Sequence, residues 1–151
     1  MGHPPKKGQF LFLATSVDRK NRCLLSFGVS SAFTWEEGQK VLDACHAKHP
    51  KVKIYYSDAC ETYRYLMYPG PHKHQVSEGK RDTFSVEGTN ADLRHYLARL
   101  ARRSRCFTRC PEALRCAVRL FQCAYNQRQI WKHEHKLARV PGLCDCLPLV
   151  N

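Results

Sequence analysis

The sequence predicts an α/β fold in which helices flank a mixed sheet. Residues 9–17 (Q-F-L-F-L-A-T-S-V) and 23–30 (C-L-L-S-F-G-V-S) are apolar runs with β-branched residues, and the polar turn D-R-K-N lies between them. Such a pattern is typical of a two-stranded hairpin. Beyond the hairpin, short apolar runs alternate with segments of helical spacing, which indicates that strands and helices are interleaved in one domain.

A helix is predicted directly after the hairpin. The tetrapeptide T-W-E-E, which begins at Thr34, has the form of a capping box, in which the first and last side chains satisfy free backbone amides at the helix start. The helix should end near Lys48, before Pro50. Its inward face is expected to consist of Val41, Leu42 and Cys45.

The next predicted element is a third strand over residues 51–57 (K-V-K-I-Y-Y-S), with Asp58 at its carboxyl end. A short helix, A-C-E-T-Y-R-Y-L, should follow behind this strand. Residues 67–82 are rich in Pro, Gly, His and Lys. That composition indicates a loop, and we expect a short strand within it near Val76.

Two further helices are predicted in the second half of the chain. A strand over residues 83–86 should lead into a helix that begins near Glu87 and ends near Ser104. The last helix should open at Pro111, because proline is favourable as a first helical residue. Its inward stripe is expected to consist of Leu114, Val118, Phe121 and Tyr125.

The charge of the chain favours a polyanionic partner. Its 151 residues include 25 Lys and Arg against 13 Asp and Glu, a formal net charge of +12, so nucleic acid is the expected partner. No apolar run approaches the roughly 20 residues of a membrane-spanning helix, and the start M-G-H-P-P-K-K-G lacks the apolar core of a signal peptide. We expect a cytoplasmic protein without membrane contact, with one domain over residues 1–131 and a basic tail over residues 132–151.

Nine cysteines, an odd number without an export signal, predict reduced thiols. Four of them have the spacing C-x3-C-x5-C-x6-C, which matches no usual zinc site, and these four are expected to be small buried apolar residues. They are Cys106, Cys110, Cys116 and Cys123. Cys144 and Cys146 could bind metal opportunistically with His133 and His135, and the alternative for this stretch is an unstructured tail. A cysteine-rich metal-binding module is a further option for the chain.

Two carboxylates occupy positions suited to metal binding. Asp58 follows a predicted strand and Glu87 opens a predicted helix, and ligands collect at the carboxyl ends of strands in open sheets flanked by helices. Two acidic side chains there can share Mg²⁺ or Mn²⁺ for phosphoryl transfer. A bare pair of carboxylates is by itself a weak signal.

The predicted helix after Glu87 is rich in basic residues. At about 100° per residue, the side of the helix that carries Glu87 also carries Asn90, Arg94 and Arg105. A separate apolar stripe consists of Leu93, Leu97 and Leu100. Further phosphate-directed charge comes from Arg99, Arg102 and Arg103. The alternative interpretation is a solvated basic helix with a capping glutamate.

A large part of the chain resembles DDE transposases of the insertion-sequence-1 type. The resemblance rests on Y-S-D-A-C-E-T-Y, which contains Asp58, followed by G-K-R-D-T-F-S-V-E-G-T-N-A-D-L-R-H-Y-L-A-R-L-A-R-R-S-R-C-F-T-R-C. In that family a strand ends in S/T-D with an aromatic residue five positions on, and K-x-x-T, E-x-x-N and L-R-x-x-L-x-R-L-x-R follow. The match extends from about residue 9 to residue 131 and is dense over residues 57–110.

This resemblance implies a ribonuclease-H-like fold and metal-dependent cleavage and joining of DNA ends. Asp58 would be the second acidic metal ligand and Glu87 the third, with Mg²⁺ or Mn²⁺ as the ion. Asn90 and Arg94 would support the site or contact DNA, and Lys80 would position phosphate. The implied partner is DNA, at the element ends and at the target, with self-association of the protein on that DNA.

The chain departs from the family pattern at the first acidic residue. In the family that residue lies on a strand before the one equivalent to residues 9–17, and this chain starts too late to contain it. Asp18 is the nearest substitute, although its D-R-K-N context is typical of an aspartate that caps a hairpin turn. A missing first strand would leave a long apolar edge. We therefore expect a poorly active, marginally stable chain, and the alternative function is a catalytically dead DNA-binding remnant.

Overall fold

The computed structural model describes residues 11–70, 74–77, 79, 82–100 and 110–135, apart from the side chain of Arg99. These residues form a mixed α/β fold with two small sheets and three α-helices. Several residues selected from the sequence lie outside the described residues, namely Lys80, Arg102, Arg103, Arg105, Cys106, Cys144 and Cys146.

The predicted hairpin is confirmed. Strand β1 (Phe12–Val17) pairs antiparallel with strand β2 (Leu24–Ser30). The turn between them is closed by the Asp18 amide, which donates to the Cys23 carbonyl at 2.8 Å. Within the turn, Arg22 adopts the left-handed region with a φ of 58°, a conformation found mainly where a chain reverses. All three α-helices pack against this hairpin.

Helix α1 (Trp35–Lys48) begins and ends where the sequence predicts. The Thr34 hydroxyl oxygen accepts a hydrogen bond from the Glu37 amide at 3.4 Å, which satisfies one of the free amides of the first turn. The residues predicted to face inward are all buried, namely Val41, Leu42 and Cys45. The cap and the apolar spacing are local signals, and they were sufficient to define this helix.

Contact between α1 and β2 is close. The Ser26 hydroxyl donates to the Val41 carbonyl at 2.8 Å. A Cβ atom placed on Gly28 would lie only 2.6 Å from Val41 Cγ2. The absence of a side chain at residue 28 is therefore what lets the helix approach the strand.

Helix α3 (Pro111–Glu134) opens at Pro111, as predicted. Its buried residues are the predicted stripe of Leu114, Val118, Phe121 and Tyr125. The main core forms where this stripe meets Leu24, Val29 and Leu93. None of the described helices, α3 included, combines the length and the apolar character that crossing a bilayer requires.

Helix α2 (Phe84–Tyr96) begins and ends earlier than predicted. The predicted strand over residues 83–86 is wrong, because Thr83 caps α2 and residues 84–86 form its first turn. Ser85 is buried there, and its hydroxyl donates to the Arg19 carbonyl of the hairpin turn at 3.1 Å. At the other end, Leu97 is extended and a 3₁₀ helix follows over Ala98–Leu100, so the α-helix does not continue to residue 104. A contact distant in sequence thus holds the first turn of α2.

The helices lie on both faces of β1. Side chains of consecutive strand residues point to opposite faces of a sheet. The Thr15 hydroxyl donates to Asn90 Oδ1 of α2 at 3.0 Å, whereas the Ser16 hydroxyl donates to Cys45 Sγ of α1 at 3.3 Å. The hairpin is thus the middle layer between α1 on one side and α2 with α3 on the other.

A second sheet consists of β3 (Tyr55–Ser57) and β4 (His74–Val76), which pair in parallel. Strand β3 is shorter than predicted, since residues 51–54 are not strand, and β4 confirms the short strand expected in the loop. The predicted short helix is a 3₁₀ helix, Glu61–Tyr65. Among the described residues β1 and β3 are not hydrogen bonded to each other, so two separate sheets stand where one was predicted.

Candidate functional site

A cavity of about 1330 Å³ is lined by residues of both sheets. Its walls come from β1, β3 and all three α-helices. The two carboxylates predicted from the sequence, Asp58 and Glu87, both line this cavity. Three further residues of interest also line it, namely Asp18, Asp82 and Asn90. The fold therefore brings residues from distant parts of the chain to one space.

Asp58 follows directly after β3, and local hydrogen bonds hold it. The Oδ1 atom of Asp58 accepts a hydrogen bond from the Cys60 amide at 3.1 Å. This hydrogen bond closes a turn that leads into the 3₁₀ helix Glu61–Tyr65. The preceding Ser57 hydroxyl donates to the Asp58 carbonyl at 2.8 Å. The residue is exposed, so the carboxylate is held at the cavity wall and remains accessible to solvent.

Glu87 lies in the first turn of α2 and is exposed. The partial positive charge of a helix N-terminus favours a carboxylate at such a position. One turn later, Asn90 accepts a hydrogen bond from the Thr15 hydroxyl at 3.0 Å, which fastens α2 to β1 beside Glu87. Arg94, in the last turn, is exposed and does not line the cavity.

Asp18 caps the hairpin turn. Its Oδ1 accepts from the Lys20 amide at 2.9 Å, and its Oδ2 accepts from the Asn21 side-chain amide at 2.9 Å. Both carboxylate oxygens thus satisfy donors of the turn, as expected for aspartate in this context. Although Asp18 lines the cavity with Asp58 and Glu87, metal binding would compete with these two hydrogen bonds.

One ion pair at the cavity is not predicted by the sequence. Arg19 Nη2 and Asp82 Oδ1 are 2.8 Å apart, and the Arg19 guanidinium also lies 4.9 Å from the centre of the Tyr56 ring. Both charged residues line the cavity. The pair joins the hairpin turn to the segment before α2. No local signal pairs Arg19 with Asp82, because the contact depends on the path of the intervening chain.

Behind Asp58, the two strands of the second sheet are joined by side chains. The Ser57 hydroxyl lies 2.7 Å from His74 Nε2, and the His74 ring stacks on Tyr68 with centroids 4.2 Å apart. Burial lowers the pKa of His74, and burial together with Tyr63 raises the pKa of Tyr68 to about 12. This array is therefore uncharged at neutral pH and supports the strand end that carries Asp58.

We expect the stability of the protein to depend on pH through His74. Because the folded state lowers the pKa of His74 below its ordinary value of 6.5, the stability it contributes is present above that value and is lost as the pH falls through the lowered pKa. The free energy of unfolding of the native chain should thus fall more steeply between neutral and acidic pH than that of His74→Gln. Urea titrations across this range test the difference, and equal pH slopes would contradict it.

The donor set suits a hard cation. Asp58 and Glu87 supply carboxylate oxygens, the ligands that Mg²⁺ and Mn²⁺ prefer. Within the described ranges, no group of three or more His, Cys, Asp or Glu side chains is placed to hold a metal ion. Magnesium is commonly bound through one or two carboxylates together with water and substrate phosphates. Two carboxylates that line one cavity are donors of the kind such an ion uses.

The six described cysteines do not form one buried cluster. All six are free thiols. The prediction of buried roles was wrong for three of them, because Cys110, Cys116 and Cys123 are exposed. Cys116 and Cys123 lie on α3, where helical spacing places them away from the buried stripe.

We expect Cys116 to react with a water-soluble maleimide at least about tenfold faster than Cys23 or Cys45. Cys116 is exposed, whereas Cys23 and Cys45 are buried, and burial, with a smaller effect of Asp18, raises the pKa of the Cys23 thiol. Timed labelling followed by mass mapping of each peptide measures the three rates. Similar rates would contradict the burial of Cys23 and Cys45, and labelling in urea should abolish the difference.

Comparison with known proteins finds no match to this chain. No protein-family model matches the chain, and no curated protein or solved structure matches it significantly.

Proposed function

We propose that this chain functions as a DDE transposase of the insertion-sequence-1 type, which cleaves DNA and transfers strands during transposition. The observation that carries the proposal is the position of Asp58 and Glu87 on the wall of one cavity. They come from a strand end and a helix start in a chain with a net charge of +12. Carboxylates beside a cavity in a strongly basic protein are what metal-dependent chemistry on a polyanion requires.

In this proposal, Asp58 and Glu87 hold Mg²⁺ or Mn²⁺, which when bound polarises the phosphodiester and lowers the pKa of the attacking hydroxyl. The turn at Cys60 orients Asp58, and the bond from Thr15 to Asn90 fixes the first turns of α2 against β1. Arg94 is exposed and contacts DNA phosphate. The further DNA contacts in this proposal are Lys80, Arg99, Arg102, Arg103 and Arg105.

A catalytically dead DNA-binding remnant is the second candidate. It is favoured by one observation, since the described residues include no group of three side chains that could hold a metal ion. Asp18, the nearest substitute for a third ligand, has both carboxylate oxygens occupied in the hairpin turn. In this case the basic residues bind DNA and Asp58 has no catalytic role.

A strand-transfer assay distinguishes the two candidates. The purified chain is incubated with linear duplex DNA and a supercoiled target plasmid, with Mg²⁺, with Mn²⁺ or with a chelator. The first candidate predicts weak, metal-dependent nicking and joining that Asp58→Ala and Glu87→Ala each reduce about 100-fold or more. Asp43→Ala is the matched control, because Asp43 is an exposed aspartate of α1 that does not line the cavity.

DNA binding by the same proteins provides the second readout. If the chain binds duplex DNA with salt-dependent affinity but shows no metal-dependent cleavage, the remnant is supported and the transposase activity is refuted for this chain. Loss of binding in Arg94→Ala with retention in Asp58→Ala would place DNA contact on α2. If the chain binds no DNA at all, both candidates are wrong.

A further inference from the structure

The segment that joins α1 to β3 is strongly basic. It contains Lys48, Lys51 and Lys53, and all three residues are exposed. No acidic residue occurs between Asp43 and Asp58. We call residues 48–53 (K-H-P-K-V-K) the basic loop. Positive charge is therefore concentrated in one short stretch of the surface.

Hydrogen bonds brace the basic loop at its base. The His49 amide donates to the Cys45 carbonyl at 2.9 Å where α1 ends, and the Val52 amide donates to the His49 carbonyl at 3.3 Å. Across the base, His46 Nδ1 of α1 lies 3.3 Å from the Tyr55 hydroxyl of β3. The lysines are thus carried by a backbone that is tied to a helix on one side and to a strand on the other.

The lysines of the basic loop are not neutralised by acidic side chains. Among the described residues, no ion pair includes Lys48, Lys51 or Lys53. Lys40 of α1 differs, because it forms an ion pair with Glu37. The negative end of the helix dipole favours Lys48 in the last turn of α1, but this effect is confined to that turn. It gives no reason for the two lysines that follow the helix.

The basic loop borders the candidate site. Lys48 and Lys51 line the same cavity as Asp58 and Glu87. Carboxylates repel a polyanion, so a polyanion that approaches this cavity needs cationic side chains nearby. The lysine ammonium group is a compact charge that binds phosphate without fixed geometry. The loop therefore has the chemistry of a contact to a phosphate backbone.

The composition of the basic loop selects among polyanions. Residues 48–53 contain no aromatic residue, whereas proteins that bind single-stranded nucleic acid stack bases on aromatic side chains. They also contain no Trp, Phe or Leu, the residues with which peripheral segments enter a lipid surface. The backbone of a duplex requires neither, because phosphates are contacted by charge alone.

We propose that the basic loop binds the phosphate backbone of duplex DNA beside the cavity. The choice of DNA rests on the proposed function, but the role of the loop does not require catalysis. It is a second DNA surface, remote in sequence from the contacts assigned to residues 80–105. Because lysines bind phosphate and not base edges, this surface is independent of DNA sequence.

The test measures how strongly DNA binding depends on salt. The full chain and the double variant Lys48→Ala with Lys51→Ala are titrated against a labelled duplex, followed by fluorescence anisotropy at several salt concentrations. Each phosphate contact contributes roughly 0.9 to the slope of log K against log salt, so the double variant should lower the slope by about 1.8. Affinity at moderate salt should fall about tenfold or more. Two duplexes of unrelated sequence should be affected equally.

A second double variant, Lys20→Ala with Lys40→Ala, is the matched control. It removes the same net charge from two exposed lysines that do not line the cavity, and it should leave the slope nearly unchanged. The double variant Lys48→Arg with Lys51→Arg keeps the charge of the loop and should keep the native slope.

The failure of this proposal can be separated from the failure of the proposed function. If the native chain binds duplex DNA and the loop variant has the native slope, the basic loop is not a DNA surface, whereas the proposed function stands. Equal losses in the loop variant and in the Lys20 and Lys40 variant would mean that only net charge matters, which also overturns the proposal. Tighter binding of single-stranded DNA, or of phosphatidylserine vesicles, than of duplex DNA would assign the loop to another partner. A native chain that binds no DNA would overturn both proposals.

Discussion

Replacement of Leu114 by alanine is expected to lower the free energy of unfolding by about 2–5 kcal/mol. The Leu114 side chain is 2% exposed and belongs to the core cluster between the hairpin and helices α2 and α3. Alanine would remove apolar contacts there and leave a cavity that rigid neighbours cannot fill. Because a domain of this size is stable by only roughly 5–15 kcal/mol, the variant should lose much of its stability. Urea unfolding followed by circular dichroism measures the loss.

Leu120→Ala is the matched control for this prediction. Leu120 lies on the same helix, α3, but is 74% exposed, so its truncation should change the free energy of unfolding by no more than about 0.5 kcal/mol. The substitution is chemically the same as in Leu114→Ala, and only the burial differs. Equal losses in the two variants would contradict the assignment of the buried face of α3.

The second large effect is expected at Gly28, where alanine should destabilise the protein by about 1–3 kcal/mol. The added Cβ would lie 2.6 Å from Val41 Cγ2, and Val41 is a buried β-branched residue in a helix, so its side chain has essentially one rotamer. Replacing glycine by alanine also restricts the unfolded chain, which favours folding by about 0.4–1 kcal/mol. The clash is the larger effect, so the net change should be destabilising.

Two further variants test this interpretation. Gly88→Ala should stabilise the protein by about 0.5–1 kcal/mol, because Gly88 lies within α2 and its Cβ would meet no atom within 4 Å. In the double variant Gly28→Ala with Val41→Ala, the clash is removed, so the combined loss should be smaller than the sum of the single losses by about 1 kcal/mol or more. Additive losses would show that Gly28 and Val41 do not interact.

Local sequence signals predicted two of the helices well. The bounds of α1, the start of α3 and the buried faces of both helices follow from a capping box at Thr34, a proline at residue 50, a proline at residue 111 and regular apolar spacing. These signals act within a few turns of the chain, so they do not depend on the rest of the fold. The hairpin was also predicted from local signals, because a polar turn between two apolar runs specifies pairing between strands that are adjacent in sequence.

Helix α2 shows where local signals were insufficient. Its first turn was predicted as strand, and only the contact of Ser85 with the Arg19 carbonyl explains the earlier start. The helix also ends at Tyr96, because the chain turns there and Leu97 and Leu100 pack against the core. The contact of Ser85 joins residues that are far apart in sequence, and helical periodicity contains no information about it. Periodicity did predict Leu97 and Leu100 as apolar positions, but it did not show that the α-helix ends before them.

Some features of the candidate site could be predicted from the sequence, and others could not. The sequence by itself determined that Asp58 ends a strand, that Asp18 sits in a turn and that the chain is strongly basic, since each of these depends on neighbouring residues or on composition. Only the tertiary structure decided that Asp58 and Glu87 line one cavity and that the described strands form two sheets. Those features depend on how α1, α2 and α3 pack on the two faces of the hairpin, and packing between distant segments has no periodic signature in the sequence.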